Sequence, residues 1–270
     1  MTLSIDIGGT HIRSALVSKT NLSQIIKTHT PKTKKQIINS LFKTISSYPK
    51  QNSIHISTAG FERNGLIHHA INMDFKVPLR KILKQKFKVP VYVENDANCA
   101  ALAELNYGNG KKLNNFILLT LGTGIGGAIV INRKIYKGNG GAGEIGCMII
   151  DKGKIYEHLA SGSASVKLAH KRGLKINYHE LNALADKGNK KAKAVYNEIG
   201  HYLGIGLANL AYIFDPDAII LGGGFSKVRH IYPQAKATLN KLYILNPKPK
   251  ILKAKLEDNA GMIGATLLKT

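Results

Sequence analysis

The chain has 270 residues, with 39 lysines and arginines against 16 acidic residues, a formal net charge of +23, and 44% hydrophobic residues. That hydrophobic share supports a buried core and excludes overall disorder, and the length suffices for two mid-sized lobes or one large domain. Cys99 and Cys147, neither in a CxxC pair, exclude a disulfide framework and a cysteine-based zinc cluster.

The first predicted element is a strand, Leu3 to Ile7. Its apolar positions alternate up to Gly8-Gly9-Thr10 and resume in His11 to Val17, a strand–turn–strand signal. Lys34 to Tyr48 places Ile37, Ile38, Leu41, Phe42 and Ile45 on one helical face. Val89 to Val93 reads as a strand that runs through Glu94-Asn95-Asp96 into a helix-forming stretch, Ala97 to Glu104. Phe116 to Leu121, the turn Gly122-Thr123-Gly124-Ile125-Gly126-Gly127, and Ala128 to Ile131 repeat the layout of the first turn, which predicts two lobes of related topology. Ala194 to Phe214 carries Val195, Ile199, Leu203, Leu207 and Leu210 at helical spacing and ends at Asp215-Pro216. Gly204 and Gly206 inside it cost about 1 kcal/mol each against Ala, so they are expected at close helix contacts rather than at breaks. Ala218 to Leu221 is a short buried-strand run, followed by Gly222-Gly223-Gly224 and a segment with helical potential that reaches Leu242. Alternating strands, glycine turns and helices predict an α/β fold.

Glycine turns after strands free backbone N–H groups to converge on an anionic phosphate, because no Cβ blocks the approach. Asp6 ahead of Gly8, Gly9 and Thr10 can hold a Mg²⁺ ion through its water shell, and the Thr10 hydroxyl can reach a phosphate oxygen. Thr123 and Gly124 offer a second cradle. Each turn taken alone is also an ordinary tight hairpin. A dinucleotide design fails, because Gly122 to Gly127 leads into a strand rather than a helix, and the phosphate loop GxxxxGK[ST] is absent. Asp96 stands where a strand ends and a helix begins, placed to accept a proton from a hydroxyl attacking a γ-phosphate; Asp96 or Asn95 can equally be the helix cap. Glu144, on the glycine-rich and flexible Gly140 to Gly146, and Glu157 are carboxylates suited to sugar hydroxyls or to a plain surface role.

These motifs together resemble the ROK family: Asp6-Ile-Gly-Gly-Thr10, Glu94 to Glu104, Leu119 to Gly127, Gly143-Glu-Ile-Gly146, Leu221 to Gly224, and Asn259 to Ala265 as a closing helix. The resemblance runs from Ile5 to about Leu267 and implies the actin-like ATPase superfamily. It implies two ribonuclease H-like lobes with a cleft between them, residues 1–106 plus 256–270 in one and 107–255 in the other. It further implies Asp96 as catalytic base, and Gly60, Asn72, Asn95, Glu144 and Glu157 as sugar-binding residues. Asp6, Gly8, Gly9, Thr10, Thr123 and Gly124 match its phosphate sites, and Gly223 and Gly224 its adenosine site. ATP and Mg²⁺ are the cofactors it implies.

The chain departs from the family pattern in one place. Cys147 stands where the family has a histidine, and Lys152 to Tyr156 replaces a cysteine-rich zinc run. No structural zinc site is therefore expected, and Cys147 reads as a small thiol. The expected activity is phosphorylation of a hexose, glucose at O6, with N-acetylmannosamine, N-acetylglucosamine or fructose as alternative acceptors and a non-catalytic sugar sensor as the rival reading. The family's repressors carry a DNA-binding segment ahead of the first glycine motif, which begins here at Ile5.

Of the 39 cations only six are arginine, and the lysines fall in scattered clusters (32–35, 80–88, 187–193, 248–255) without interleaved aromatics. That pattern predicts a solvated basic surface and no specific nucleic-acid partner. The start has no basic region ahead of an apolar stretch. Phe116 to Ile131 is broken by glycines and shorter than the roughly 20 residues of a membrane span. A cytoplasmic protein without membrane partner is expected, and Ala194 to Phe214 is a candidate homodimer surface.

Overall fold

Leu3, Ile5 and Ile7 face one side of a strand and are buried to 1% or less, while Ser4 faces the other and donates its hydroxyl to Met262 O at 2.8 Å. In a strand, alternate residues point to opposite faces, so helices must cover both sides. The computed structural model, which describes residues 1–63, 66–68 and 77–268, shows that they do. The chain divides into two compact units: Met1–Lys112 with Ile135–Ala142 and Asp258–Thr270, and Leu113–Lys134 with Gly143–Glu257.

Unit one is built on a five-stranded sheet of order β3-β2-β1-β4-β7. β1 (Thr2–Ile7), β2 (His11–Ser18) and β3 (Asn21–His29) form an antiparallel meander. The Gly8 N–H closes the first turn onto His11 O at 3.0 Å. α1 (Lys34–Ser46) starts at Thr33, whose Oγ1 accepts the Gln36 N–H at 3.3 Å, and turns Ile37, Leu41 and Ile45 inward. β4 (Ile54–Thr58) lies parallel to β1; the hairpin β5 (Phe61–Arg63) and β6 (Leu66–His68) follows. After α2 (Leu79–Phe87), β7 (Val91–Asn95) pairs parallel to β4 and passes directly into α3 (Asp96–Tyr107). Leu3, Ile5, Ile7, Ile56 and Val93 form one core with Leu41 and Leu83. Each such fully buried side chain is worth about 1.5–3 kcal/mol relative to an exposed one.

Unit two repeats the layout. β8 (Phe116–Leu121) runs antiparallel to β9 (Ile125–Ile131), and β10 (Lys134–Ile135) forms the edge. A small hairpin, β11 (Ile149–Asp151) and β12 (Lys154–Ile155), leads into α4 (Glu157–Ala160), α5 (Gly162–Lys171) and α6 (Tyr178–Asp186). The long α7 (Lys190–Phe214) precedes β13 (Ala218–Gly222), α8 (Tyr232–Leu242) and β14 (Lys250–Lys253). β13 pairs parallel to both β8 and β14, giving the order β10-β9-β8-β13-β14. Both sheets thus place their first strand between an antiparallel hairpin and two parallel strands, as the repeated glycine turns predict.

Helix contacts explain the glycines inside α7. A Cβ on Gly204 would lie 2.6 Å from Ala235 O and from Thr238 Cβ of α8, and one on Gly206 would lie 2.1 Å from the Tyr156 ring. The stretch after Gly224 is helical only from Tyr232; two short 3₁₀ turns, Gly224–Lys227 and Arg229–Ile231, come first. The chain closes with α9 (Ala260–Ala265), which belongs to unit one and covers the Ser4 face of its sheet. His55 Nδ1–H donates to Ala265 O at 2.9 Å and fixes the helix end. Among the described residues, no helix is long and apolar enough to cross a membrane.

Candidate active site

In unit one the site starts at the end of β1. Asp6 lies opposite Arg13 on β2 and beside Ser57 on β4, whose hydroxyl donates to Asp6 Oδ1 at 2.8 Å. Arg13 is held in turn by Asp258 O at 2.7 Å and Asn259 Oδ1 at 2.8 Å. Burial raises the Asp6 carboxyl above its ordinary value, against the Ser57 hydrogen bond and the Arg13 charge, which lower it. Gly8, Gly9 and Thr10 form the turn itself. Thr30 braces it, its hydroxyl donating to Gly8 O at 2.6 Å and its N–H to Thr10 O at 2.9 Å. Thr10 is exposed.

The β7–α3 junction shows which of Asn95 and Asp96 caps the helix. Asn95 is the cap: its Oδ1 accepts the N–H groups of Ala97 at 2.8 Å and Asn98 at 3.1 Å. Its Nδ2 donates to Gly60 O at 2.8 Å, and Gly60 adopts φ +83°, a conformation that favours glycine. Asp96 is the first helical residue, half-buried, and its Oδ1 also accepts the Ala97 N–H at 2.8 Å. Beneath it, the fully buried Cys99 thiol is pushed well up by burial and then by the charges of Glu94, Asp96 and Asp6. The fold therefore gathers Asp6 and Asp96 around one thiol, although they are far apart in sequence. Asn72 lies outside the described residues.

In unit two, the turn between β8 and β9 carries Thr123, exposed, and Gly124. Glu157, the first residue of α4, reaches this turn, and its Oε2 accepts the Ile125 N–H at 3.4 Å. The flexible backbone expected around Glu144 is instead pressed against β9. A Cβ on Gly143, which has φ +97°, would lie 2.8 Å from Gly127 O, and one on Gly146 would lie 2.2 Å from Ile125 O. These glycines serve close approach rather than freedom. Cys147 is exposed; burial of its thiol, then the charges of Glu144 and Glu157, raise its pKa. The charges of Glu144 and Glu157 thus both bear on Cys147.

Glu157 is positioned by its neighbour Tyr156. That side chain is fully buried, its hydroxyl donates to Leu203 O at 2.9 Å, and its N–H donates to Met148 O at 2.7 Å. The shortened segment before it is the β11–β12 hairpin, closed by Lys152 and Gly153 at φ +44° and +77°. Two residues of positive φ are the signature of a tight hairpin turn.

The third glycine run opens a pocket of about 550 Å³ lined by Thr123, Gly162, Lys167, Tyr178, Gly224 and Phe225, among others. Gly223 has φ +82°, and a Cβ there would lie 2.4 Å from Leu121 O. The Tyr178 hydroxyl donates to Gly224 O at 3.3 Å. α5 is docked on the phosphate turn by Gly162 N–H to Gly122 O at 2.9 Å and Ser163 N–H to Thr123 O at 3.3 Å. Its N-terminus thus points partial positive charge at that turn. Sequence reading missed Lys167 and Tyr178; Ser161, whose Oγ accepts the Ala164 N–H at 3.2 Å, was the available signal for a helix start beside the turn. Among the described residues, no group of three or more His, Cys, Asp and Glu side chains is placed to hold a metal ion.

The ROK family model matches residues 2–270. The chain is 30% identical to a glucokinase of Streptomyces coelicolor over 304 residues, covering 98% of this chain and 96% of that protein. It is 34% identical to a glucokinase of Halalkalibacterium halodurans over 267 residues, covering 83% and 80%. Among solved structures, a ROK family glucokinase from Streptomyces griseus in complex with glucose and AMPPNP superposes with a TM-score of 0.85. It shares 30% identity, and the match covers 98% of this chain and 97% of that one.

Proposed function

The chain belongs to the ROK family as an ATP-dependent sugar kinase with the two-lobe actin-like fold, and on that premise we propose that it phosphorylates a hexose, glucose at O6, with Asp96 as general base. The observation that carries the reading is the β7–α3 junction. Asn95 takes the capping duty and bolts the helix start to Gly60, which leaves Asp96 as the first helical residue on a fixed backbone, its charge and that of Asp6 both acting on the Cys99 thiol.

In this reading the sugar ligands are Gly60, Asn72, Asn95, Glu144 and Glu157. Asp96 takes the proton from the attacking hydroxyl as the new O–P bond forms and the bond from the γ-phosphorus to the β–γ bridging oxygen breaks, releasing ADP. The turns Gly8-Gly9-Thr10 and Thr123-Gly124 are the phosphate sites of this reading, with the Gly8 N–H closing its own turn onto His11 O. The pocket beneath Gly223 and Gly224 accepts the adenosine, with Tyr178 and Phe225 as its apolar wall. Mg²⁺ supplies charge neutralisation of the phosphates when bound. Asp6 would hold it through water, with the Ser57 hydroxyl on its Oδ1.

Glucose is the first choice of acceptor because the relatives described above are glucokinases. The test is a coupled ADP-release screen over glucose, mannose, fructose, N-acetylmannosamine and N-acetylglucosamine. Turnover highest with glucose supports the proposal; an N-acetyl sugar ahead of it moves the acceptor. A chain that binds sugar without turnover is the sensor. A homodimer is part of the same proposal, supported by Tyr212 and Ile213, 46% and 65% exposed at the end of α7. Sedimentation at micromolar concentration reads it directly.

A further inference from the structure

We infer that Lys137 is a positioning residue for the sugar site and acts through the buried carboxylate of Glu94; the inference rests on the reading of Asn95 and Asp96 given above. Glu94 is 5% exposed and is the penultimate residue of β7, directly ahead of Asn95. Its Oε1 accepts the Asn95 N–H at 2.9 Å and the Asn98 side-chain amide at 3.0 Å. Its Oε2 is ion-paired with Lys137. One carboxylate thus holds the backbone of the capping residue, a side chain of the first turn of α3, and a cation from a distant loop.

The cation is needed because the acid is buried. An exposed ion pair adds little to stability, but a buried carboxylate that loses its partner is left with an uncompensated charge. The Lys137 side chain is itself 52% exposed, so its packing does not explain the contact. Its backbone organises the loop it comes from, the carbonyl accepting the N–H groups of Gly140 at 2.8 Å and Ala142 at 3.1 Å. Ile135–Ala142 belong to unit one although the chain on both sides belongs to unit two. Gly138 and Gly140 sit at φ +52° and +102°, in a stretch with little intrinsic stiffness. The chain then passes through Gly143 into Glu144. Lys137 therefore ties its loop to the residue that fixes Asn95.

The experiment compares the full-length wild type with Lys137→Met, Lys137→Arg, Glu94→Gln and the Lys137→Met/Glu94→Gln double variant. Calorimetry measures glucose binding without nucleotide, steady-state kinetics gives KM for sugar and for ATP, and far-ultraviolet circular dichroism checks folding. Lys137→Met is expected to weaken sugar binding and raise the sugar KM by about tenfold or more, with the ATP KM within about twofold. Lys137→Arg is expected to recover most of that loss, and the double variant to be no worse than Lys137→Met, because the two residues act as one unit. An unchanged sugar affinity in Lys137→Met, an equal rise in both KM values, or additive losses overturns the inference while leaving the kinase reading intact. A wild type that binds sugar without turnover overturns the kinase reading, and the calorimetric comparison then still decides the role of Lys137. A wild type that neither binds nor phosphorylates any sugar of the panel overturns both.

Discussion

Glu157 Oε2 lies where a side chain on residue 124 would begin: a Cβ built on Gly124 would sit 2.5 Å from it. The carboxylate read as a sugar ligand therefore rests on the turn read as a phosphate cradle, and glycine at 124 serves both. Gly124→Ala must push Glu157 away or bend the turn. It is expected to lower kcat/KM for the sugar by about tenfold or more, roughly 1.4 kcal/mol of transition-state stabilisation. Gly141→Ala, whose Cβ would meet nothing within 4 Å, is the control. Equal activity in the two variants would separate Glu157 from the turn.

Asp96→Asn keeps the shape of the α3 start, because the cap belongs to Asn95. If Asp96 is the base, kcat falls by about 10²–10⁴ while the sugar dissociation constant measured without ATP stays within about threefold. A large loss of sugar affinity with kcat preserved would make Asp96 a binding residue.

The strands, the glycine turns and the helical stripe of α1 were legible because each is a local pattern: period two, φ-permissive glycine, period near 3.6. The repeated glycine turn pointed to two lobes of related topology, and the sheets share their order. Gly204 and Gly206 were legible as packing glycines because a helix interior otherwise penalises them. Lys137 and Tyr178 were not. Their roles depend on which loop meets which strand end, and nothing near either residue distinguishes it from other lysines and tyrosines of the chain. The Gly143–Gly146 stretch was legible as unusual but read with the wrong reason, since sequence reports that a Cβ is missing and not what would have met it.

Asp6 carries a pH signature. Burial raises its folded-state pKa above 3.8, so its contribution to stability is fully present below about pH 3.8 and is lost as pH rises through the folded-state value. Asp6→Asn removes that cost of ionisation. Without nucleotide, the variant is expected to melt above the wild type at neutral pH, with the gap shrinking as the pH falls, and to be inactive as a kinase. Thermal melts between about pH 4 and pH 7 check it; a variant less stable than wild type at neutral pH would mean that the Ser57 and Arg13 contacts outweigh burial.

Helix α9 returns to unit one at a point where no side chain fits. A Cβ on Gly264 would lie 1.6 Å from Cys99 O, so α3 and α9 touch backbone to backbone. Gly264→Ala is expected to destabilise the chain by about 2–4 kcal/mol through overpacking, despite alanine's better helix propensity. Urea unfolding, with the slope unchanged and the midpoint lowered, reads this out. A midpoint at or above that of wild type would show that the two helices separate without cost.

The family resemblance implies a cysteine-rich zinc run ahead of the carboxylate proposed as the second sugar ligand, and here that segment is a hairpin turned by Lys152 and Gly153. What then fixes Glu157 is Tyr156, whose ring fills the space that Gly206 leaves open and whose hydroxyl ends on Leu203 O. Two consequences separate this anchor from a metal one. A zinc-selective chelator, with Mg²⁺ and ATP in excess, is expected to change neither the melting temperature nor the rate of sugar phosphorylation. Gly206→Ala is expected to do both, since its Cβ would fall 2.1 Å from the ring carbon Cζ, so the ring must shift and Glu157 with it. The melting temperature falls through overpacking, and the sugar KM rises through the displaced carboxylate. If the chelator inactivates the enzyme and added zinc restores it, a metal shares the task; if Gly206→Ala lowers the melting temperature with the sugar KM unmoved, Tyr156 stabilises the unit without aiming Glu157.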